Sequence, residues 1–373
     1  MDRRSLFTVG GLAGAMTLLV VTFGRAPEAS AEVRTPKEGA DVVETLPFSA
    51  NDPKRREVSR LRRAVAADPT NVRAAVDLAR LDIKLSRERS DPRYLGHAQA
   101  ALAPWWNAPD APTEVLVLRA TIEQSLHDFE AALADLDRVL ERSPNDVQAW
   151  LTRATILTVR ARYDEAREGC RRVAALGAPL AAVVCETQID SVTGKAKAAY
   201  DQLSSFVASA PRANADEQQW AVSCLAEYAE RAGERETAAK HFAKALEIDP
   251  NDAYSRGAYA DLLIDLGRFA EAVELVKAHE SNDGLLLRLA IAERRAKLPS
   301  AQAHIEMLGA RFDASRARGD VVHRREEARY WLSLRDDAPR ALELAKANWE
   351  VQKEPWDARI LAEATTAPKE ASR

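Results

Sequence analysis

Few side chains in this sequence have chemistry to offer, and most of those are scattered. The histidines are His97, His127, His241, His279, His304 and His323, and the cysteines are Cys170, Cys185 and Cys224. No two histidines form HxxxH or HExxH, and none stands at ligand spacing from a cysteine, so no metal centre is expected. Neither a phosphate-cradling GxxxxGKS/T or GxGxxG loop nor a GxSxG nucleophile turn occurs, so no catalytic residue and no cofactor are expected. One constellation does repeat. Trp220 and Tyr254, Ser223 and Gly257, and Glu227 and Asp261 are each 34 residues apart, and Glu230 follows Glu227 by one helical turn. An aromatic face beside a carboxylate receives a cation, and small residues between them leave room for a ligand backbone. The expected ligand is an extended segment bearing an aromatic or proline residue and a lysine or arginine. The competing expectation is that Trp220 packs between structural units and that the acids are solvated.

That spacing belongs to the whole middle of the chain. Leu116 and Trp150, Ala120 and Ala154, Ala132 and Ala166, Ala226 and Ala260, Gly233 and Gly267, and Ala238 and Ala272 all repeat at 34. ERSPNDVQAW (141–150), EIDPNDAYSR (247–256) and AADPTNVRAA (66–75) each read as a helix end, a proline turn and a new helix start. A fixed period of this size means stacked helical hairpins. Counting periods from Pro69 to Pro355 yields eight hairpins, with a lone helix near 53–67 before them and a capping helix near 356–366 after them.

Within the period, Trp150, Ala154, Tyr163 and Ala166, and again Ala226, Gly233, Ala238, Phe242, Ala245 and Pro250, resemble the tetratricopeptide (TPR) pattern. Small residues let paired helices approach, large ones fill the space between hairpins, and glycine supplies a left-handed residue at the turn. The resemblance implies an all-α, right-handed α-solenoid over 53–366. Its repeats are strong at 113–179 and 219–275 and degenerate at 180–213 and 284–354. Two stretches, SDPRYLGHAQAALAPWW (90–106) and REEARYWLSLRDDAPRALELAKANWEVQKEPWDARILAEA (325–364), resemble segments of a group of exported TPR proteins. That likeness implies fold and export and names no activity. The resemblance to TPR arrays further implies a non-catalytic scaffold, acting outside the cytoplasm, that binds a protein or peptide in its concave groove.

The N-terminus carries export grammar. Arg3 and Arg4 precede an uncharged run from Leu6 to Phe23, and Ala29-Ser30-Ala31 offers a cleavage site, so residues 1–31 are expected to be a signal peptide. Residues 32–52 read as a flexible leader and 367–373 as a tail. An uncleaved run would instead tether the chain to a membrane as an assembly factor; otherwise no membrane contact is expected. An enzyme whose site is unrecognised is the remaining alternative. The 53 basic and 57 acidic residues yield a net charge of −4 with no basic block, so no nucleic-acid partner is expected.

LAPWWNAPDAP (102–112) falls between the first and second hairpins, where its tryptophans are expected to be buried and to clamp a long turn; the alternative is an exposed aromatic patch for a partner. Export permits a disulfide, and Cys170 with Cys185 in adjacent hairpins is the pair it would join. The alternative, that each cysteine is a small buried residue, is the reading the sequence favours. His127 is expected in a solvated turn.

Overall fold

A computed structural model describes residues 52–89, 92–209, 214–319 and 322–367, which form one compact unit from Pro53 onward. The cleavage site at Ala29 and Ala31, the apolar run, the leader as far as residue 51 and the tail from residue 368 lie outside the described residues.

The unit is built of α-helices paired as eight hairpins. A lone helix α1 (Pro53–Ala67) precedes α2 (Val72–Arg89) and α3 (Arg93–Ala101), after which the single turn α4 (Ala103–Trp106) holds the paired tryptophans. The second to fourth hairpins are α5 (Thr113–Ser125) with α6 (Phe129–Arg142), α7 (Val147–Val159) with α8 (Tyr163–Ala175), and α9 (Pro179–Val192) with α10 (Ala196–Ser209). The fifth and sixth are α11 (Ala215–Arg231) with α12 (Arg235–Ile248), and α13 (Ala253–Asp265) with α14 (Phe269–Val276). The last two are α15 (Asp283–Ala296) with α16 (Ala301–Ala317), and α17 (Arg324–Leu334) with α18 (Ala338–Trp349); α19 (Pro355–Thr366) caps the array. It is a TPR-like α-solenoid.

Local sequence explains the starts and stops. Asp146, Asn214, Asp252 and Asn282 each cap the first helix of a hairpin by accepting a backbone N–H of its first turn. Each turn inside the second to eighth hairpins has one left-handed residue. Gly233 (φ 84°) and Gly267 (φ 72°) supply it without strain, while His127, Ala161, Lys297 and Asp336 adopt it with side chains. Within a hairpin the helices approach closely: a Cβ added at Gly169 would lie 3.0 Å from that of Ala154.

First helices are sandwiched between neighbouring hairpins and buried on several faces. In α11, Ala221 and every residue from Ser223 to Ala229 is buried. Second helices bury one stripe, as α8 does with Ala166, Gly169, Cys170 and Val173. Cys170 on α8 and Cys185 on α9 are bonded as a disulfide, their Cα atoms 5.5 Å apart. Sequence favoured free thiols here; consecutive helices bring the two positions face to face, which spacing alone does not reveal. Cys224 is free and buried. No helix among the described residues is long and apolar enough to cross a membrane.

The array also meets itself. α2 touches α13. The segment after α18 reaches α7, where the Lys353 amide donates to the Val159 carbonyl at 2.9 Å.

Candidate functional site

Self-contact encloses space. α11, α13, α15, α17 and α19 wall a cavity of about 700 Å³. A smaller one of about 330 Å³ adjoins it between α7, α9, α11 and the segment after α18. Glu227, Asp252, Tyr254 and Glu354 border both.

The residues singled out in the sequence do converge. Glu227, Glu230, Tyr254, Gly257 and Asp261 line the larger cavity, and Trp220 and Ser223 line the smaller. Their chemistry differs from expectation. Asp261 is 1% exposed, and its carboxylate accepts from Arg288 Nη2 at 2.7 Å and Arg329 Nη1 at 2.6 Å. Glu227 accepts from Tyr254 Oη at 2.6 Å and Arg231 Nη2 at 2.6 Å. Neither acid awaits a cation. Gly257 leaves no open channel either, because a Cβ there would meet Arg288 Nε at 3.4 Å. Ser223 is buried and bonded to Ser255 Oγ at 2.7 Å. Trp220 is half-buried and packs on a core cluster that joins Val184, Ala199 and Leu203 of the fourth hairpin to Cys224, Leu225 and Tyr228 of the fifth, so it sits between repeats. At Asp261 and Gly257 the cause is an arginine from a later hairpin, which fills the face that the repeat pattern leaves empty.

Two of the expected residues keep a free face. Tyr254 is 64% exposed although charged groups ring it, because it looks into the cavities. Its neighbour Glu227 holds the hydroxyl well above its ordinary pKa. Glu230 is half-buried, and no side chain among the described residues bonds or ion-pairs with it. Burial, reinforced by the negative charges of Asp261 and Glu227 and opposed by Arg231, pushes its carboxyl up to about 7.

Hairpin eight and α19 contribute what sequence reasoning missed. Arg329 and Arg359 both lie over the Trp356 ring, their guanidinium carbons 5.0 and 4.4 Å from its centroid. Arg359 also donates to Asp265 Oδ1 at 2.8 Å, and Arg325 to Glu354 at 3.2 Å. Arg325 and Arg329, one helical turn apart in REEAR, were the available signal. Arg87 and Arg235 line the larger cavity exposed and without an ion-pair partner among the described residues. His127 is half-buried, not solvated, and stacks on Phe129.

Two family models, both described as tetratricopeptide repeat, match residues 117–181 and 229–292. No curated protein matches the sequence. Among solved structures, the human IFIT1 dimer with PPP-AAAA is similar at TM-score 0.50 and 12% identity, covering 83% of this chain and 78% of that one. A thermophilic TPR protein of Thermus thermophilus, TTC0263, is similar at TM-score 0.38 and 17% identity, covering 57% of this chain and 99% of that one. A tetratricopeptide repeat protein from Parabacteroides merdae reaches TM-score 0.39 at 13% identity, covering 77% of this chain and 99% of that one. At these identities the likeness is one of fold.

Proposed function

We propose that this tetratricopeptide-repeat protein is a non-catalytic scaffold, working outside the cytoplasm, that holds an extended segment of a partner protein in its larger cavity. TPR repeats generally mediate protein–protein interaction, and the finer reading rests on Glu230. It is a carboxylate without a pairing side chain, in a wall whose other acids already carry partners. A lysine or arginine arriving there meets three carboxylates, Glu230, Glu227 and Asp261, two of which hold arginines of their own. The exposed ring of Tyr254 offers the same cation an aromatic face. Arg87 and Arg235 favour a segment that carries an acid as well. A volume of about 700 Å³ admits a few residues and no folded domain.

The human IFIT1 dimer was solved with PPP-AAAA. The corresponding reading is disfavoured here, since Arg231, Arg288, Arg325, Arg329 and Arg359 each already hold a carboxylate.

The test uses short synthetic peptides carrying one lysine or arginine and one acid. Because Glu230 titrates near neutrality, its charge grows between pH 6 and pH 8, and affinity should rise severalfold over that range. Glu230→Gln should weaken binding at pH 8 to the level seen at pH 6 and abolish the pH dependence. Binding that ignores both pH and the substitution would overturn the reading.

Export is supported by Arg3-Arg4, the uncharged run and Ala29-Ser30-Ala31. The expected mature chain begins at Glu32, which mass spectrometry of the native protein reads directly. Recovery of intact Met1 or its neighbours from the cell envelope would favour a membrane tether.

A further inference from the structure

The segment between α18 and α19 is held against the second and third hairpins, some 190 to 225 residues away in sequence. The way it is held is that of a bound peptide. Val159 ends α7, so its carbonyl has no partner within the helix, and the Lys353 N–H supplies one at 2.9 Å. Arg160 grips two successive backbone carbonyls, Glu350 O at 2.8 Å and Val351 O at 2.7 Å. These contacts read backbone and fix register. Selectivity comes from two side chains. Val351 packs on the N-terminal hydrophobic core, and Gln352, 6% exposed, places its amide nitrogen 2.7 Å from His127 Nδ1.

One observation says that this occupant is not the best one. Arg160 Nε is buried and has no hydrogen-bond acceptor. A buried guanidinium N–H without a partner costs free energy that a better-matched ligand would recover. The chain's own segment engages Nη1 alone, Nη2 faces Glu130 at 3.7 Å, and the Nε position is left open.

We infer that the end of α7, with Arg160 and His127, is a recognition site for an extended segment of a partner protein, and that residues 350–353 are its internal occupant, displaced when the partner binds. The partner segment presents an aliphatic residue followed by glutamine, as Val351-Gln352 does, and an additional oxygen acceptor for Arg160 Nε. Displacement has a consequence beyond the site. Lys353 borders the smaller cavity and Glu354 borders both, so moving the segment opens their shared wall. This site is separate from Glu230 and does not depend on what the larger cavity holds.

The test uses the full chain with Val351→Asp and Gln352→Ala, which releases the segment without altering the surface that receives it. The probe is a fluorescent peptide of residues 349–355, WEVQKEP. The released variant should bind it at least tenfold more tightly than the wild type, whose own segment fills the site. Adding Arg160→Ala to the released variant should remove that binding. Equal binding with and without Arg160, or no binding by a released variant that circular dichroism shows to be folded, would overturn the proposal. Should the released variant unfold, hydrogen exchange on the wild type decides. The Lys353 amide should be protected yet exchange faster than amides at the centre of α7. Protection equal to the α7 centre would make the segment a permanent part of the fold. A dimer formed by the released variant without peptide would also overturn the assignment, making the site a self-association surface.

Discussion

Replacing Arg119 by alanine should destabilise the folded chain by about 3–5 kcal/mol, the usual cost of removing one partner from a buried ion pair. Arg119 is 4% exposed and Asp135 2%. The guanidinium reaches from α5 to α6, where Nη2 donates to Asp135 Oδ1 at 2.6 Å and Nε to the other carboxylate oxygen. Nη1 donates to the carbonyls of Trp105 at 3.1 Å and Ala108 at 3.2 Å, and to that of Trp106. One side chain therefore joins both helices of the second hairpin to the turn that precedes it. Alanine would leave buried Asp135 with Arg138 Nη1 at 3.0 Å but without its bidentate partner, and would take one donor from each of the carbonyls of Trp105, Trp106 and Ala108. Arg119→Lys should recover only part of the loss, because an ammonium cannot span carboxylate and carbonyls as a planar fork does. Urea unfolding followed by circular dichroism measures both. A loss below about 1 kcal/mol for the alanine variant would show that the turn is held by something else.

This result bears on LAPWWNAPDAP. From sequence, the turn's stability falls to burial of its tryptophans. Both are only half-buried in the structure, and it is their carbonyls that Arg119 holds. The difference is physical. A period of 34 reports which positions face a neighbouring helix, because packing repeats with the hairpin. It therefore reveals Ala154, Ala166, Phe242, Gly233 and Gly267. It is silent on an arginine in the middle of α5, which resembles any solvated charge until its partner on α6 is known. The same holds for Arg160. Nothing near it in sequence signals a segment 190 residues later. In the cavity, Glu227, Glu230, Tyr254, Gly257 and Asp261, which the repeat pattern relates, all line the space. The pattern leaves that lining open, because a repeat period relates each hairpin only to its neighbours. Arg329, Trp356 and Arg359 reach the cavity from the eighth hairpin and the cap only because the array curves back on itself.

Asp261→Ala should cost about as much as the loss of Arg119, roughly 3–5 kcal/mol, and should also change how stability depends on pH. Asp261, on the sixth hairpin, binds Arg288 of the seventh and Arg329 of the eighth. Those arginines are themselves largely covered, with side-chain exposures of 17% and 9%. Without the carboxylate, two cations face each other across a cavity wall. Burial opposes ionisation of Asp261, but Arg288 and Arg329 together outweigh it and hold the carboxyl below its ordinary range. An acid whose folded pKa lies below its unfolded value, about 3.9, stabilises the fold fully above that value. The stabilisation is lost as pH falls through the folded pKa. Glu230 and Glu123 run the other way. Burial pushes each up to about 7, so their neutral forms suit the fold, and their contribution is lost as pH rises from the ordinary value of about 4.3 through the folded one. The wild type should therefore be most stable in mildly acidic solution, between the two effects. In Asp261→Asn, which preserves shape and removes charge, the acid limb should flatten while the decline toward alkaline pH remains. Urea unfolding at intervals from pH 3 to pH 8 separates the limbs. An acid limb as steep in Asp261→Asn as in the wild type would mean that other carboxylates, and not the bond from the sixth hairpin to the seventh and eighth, govern acid unfolding.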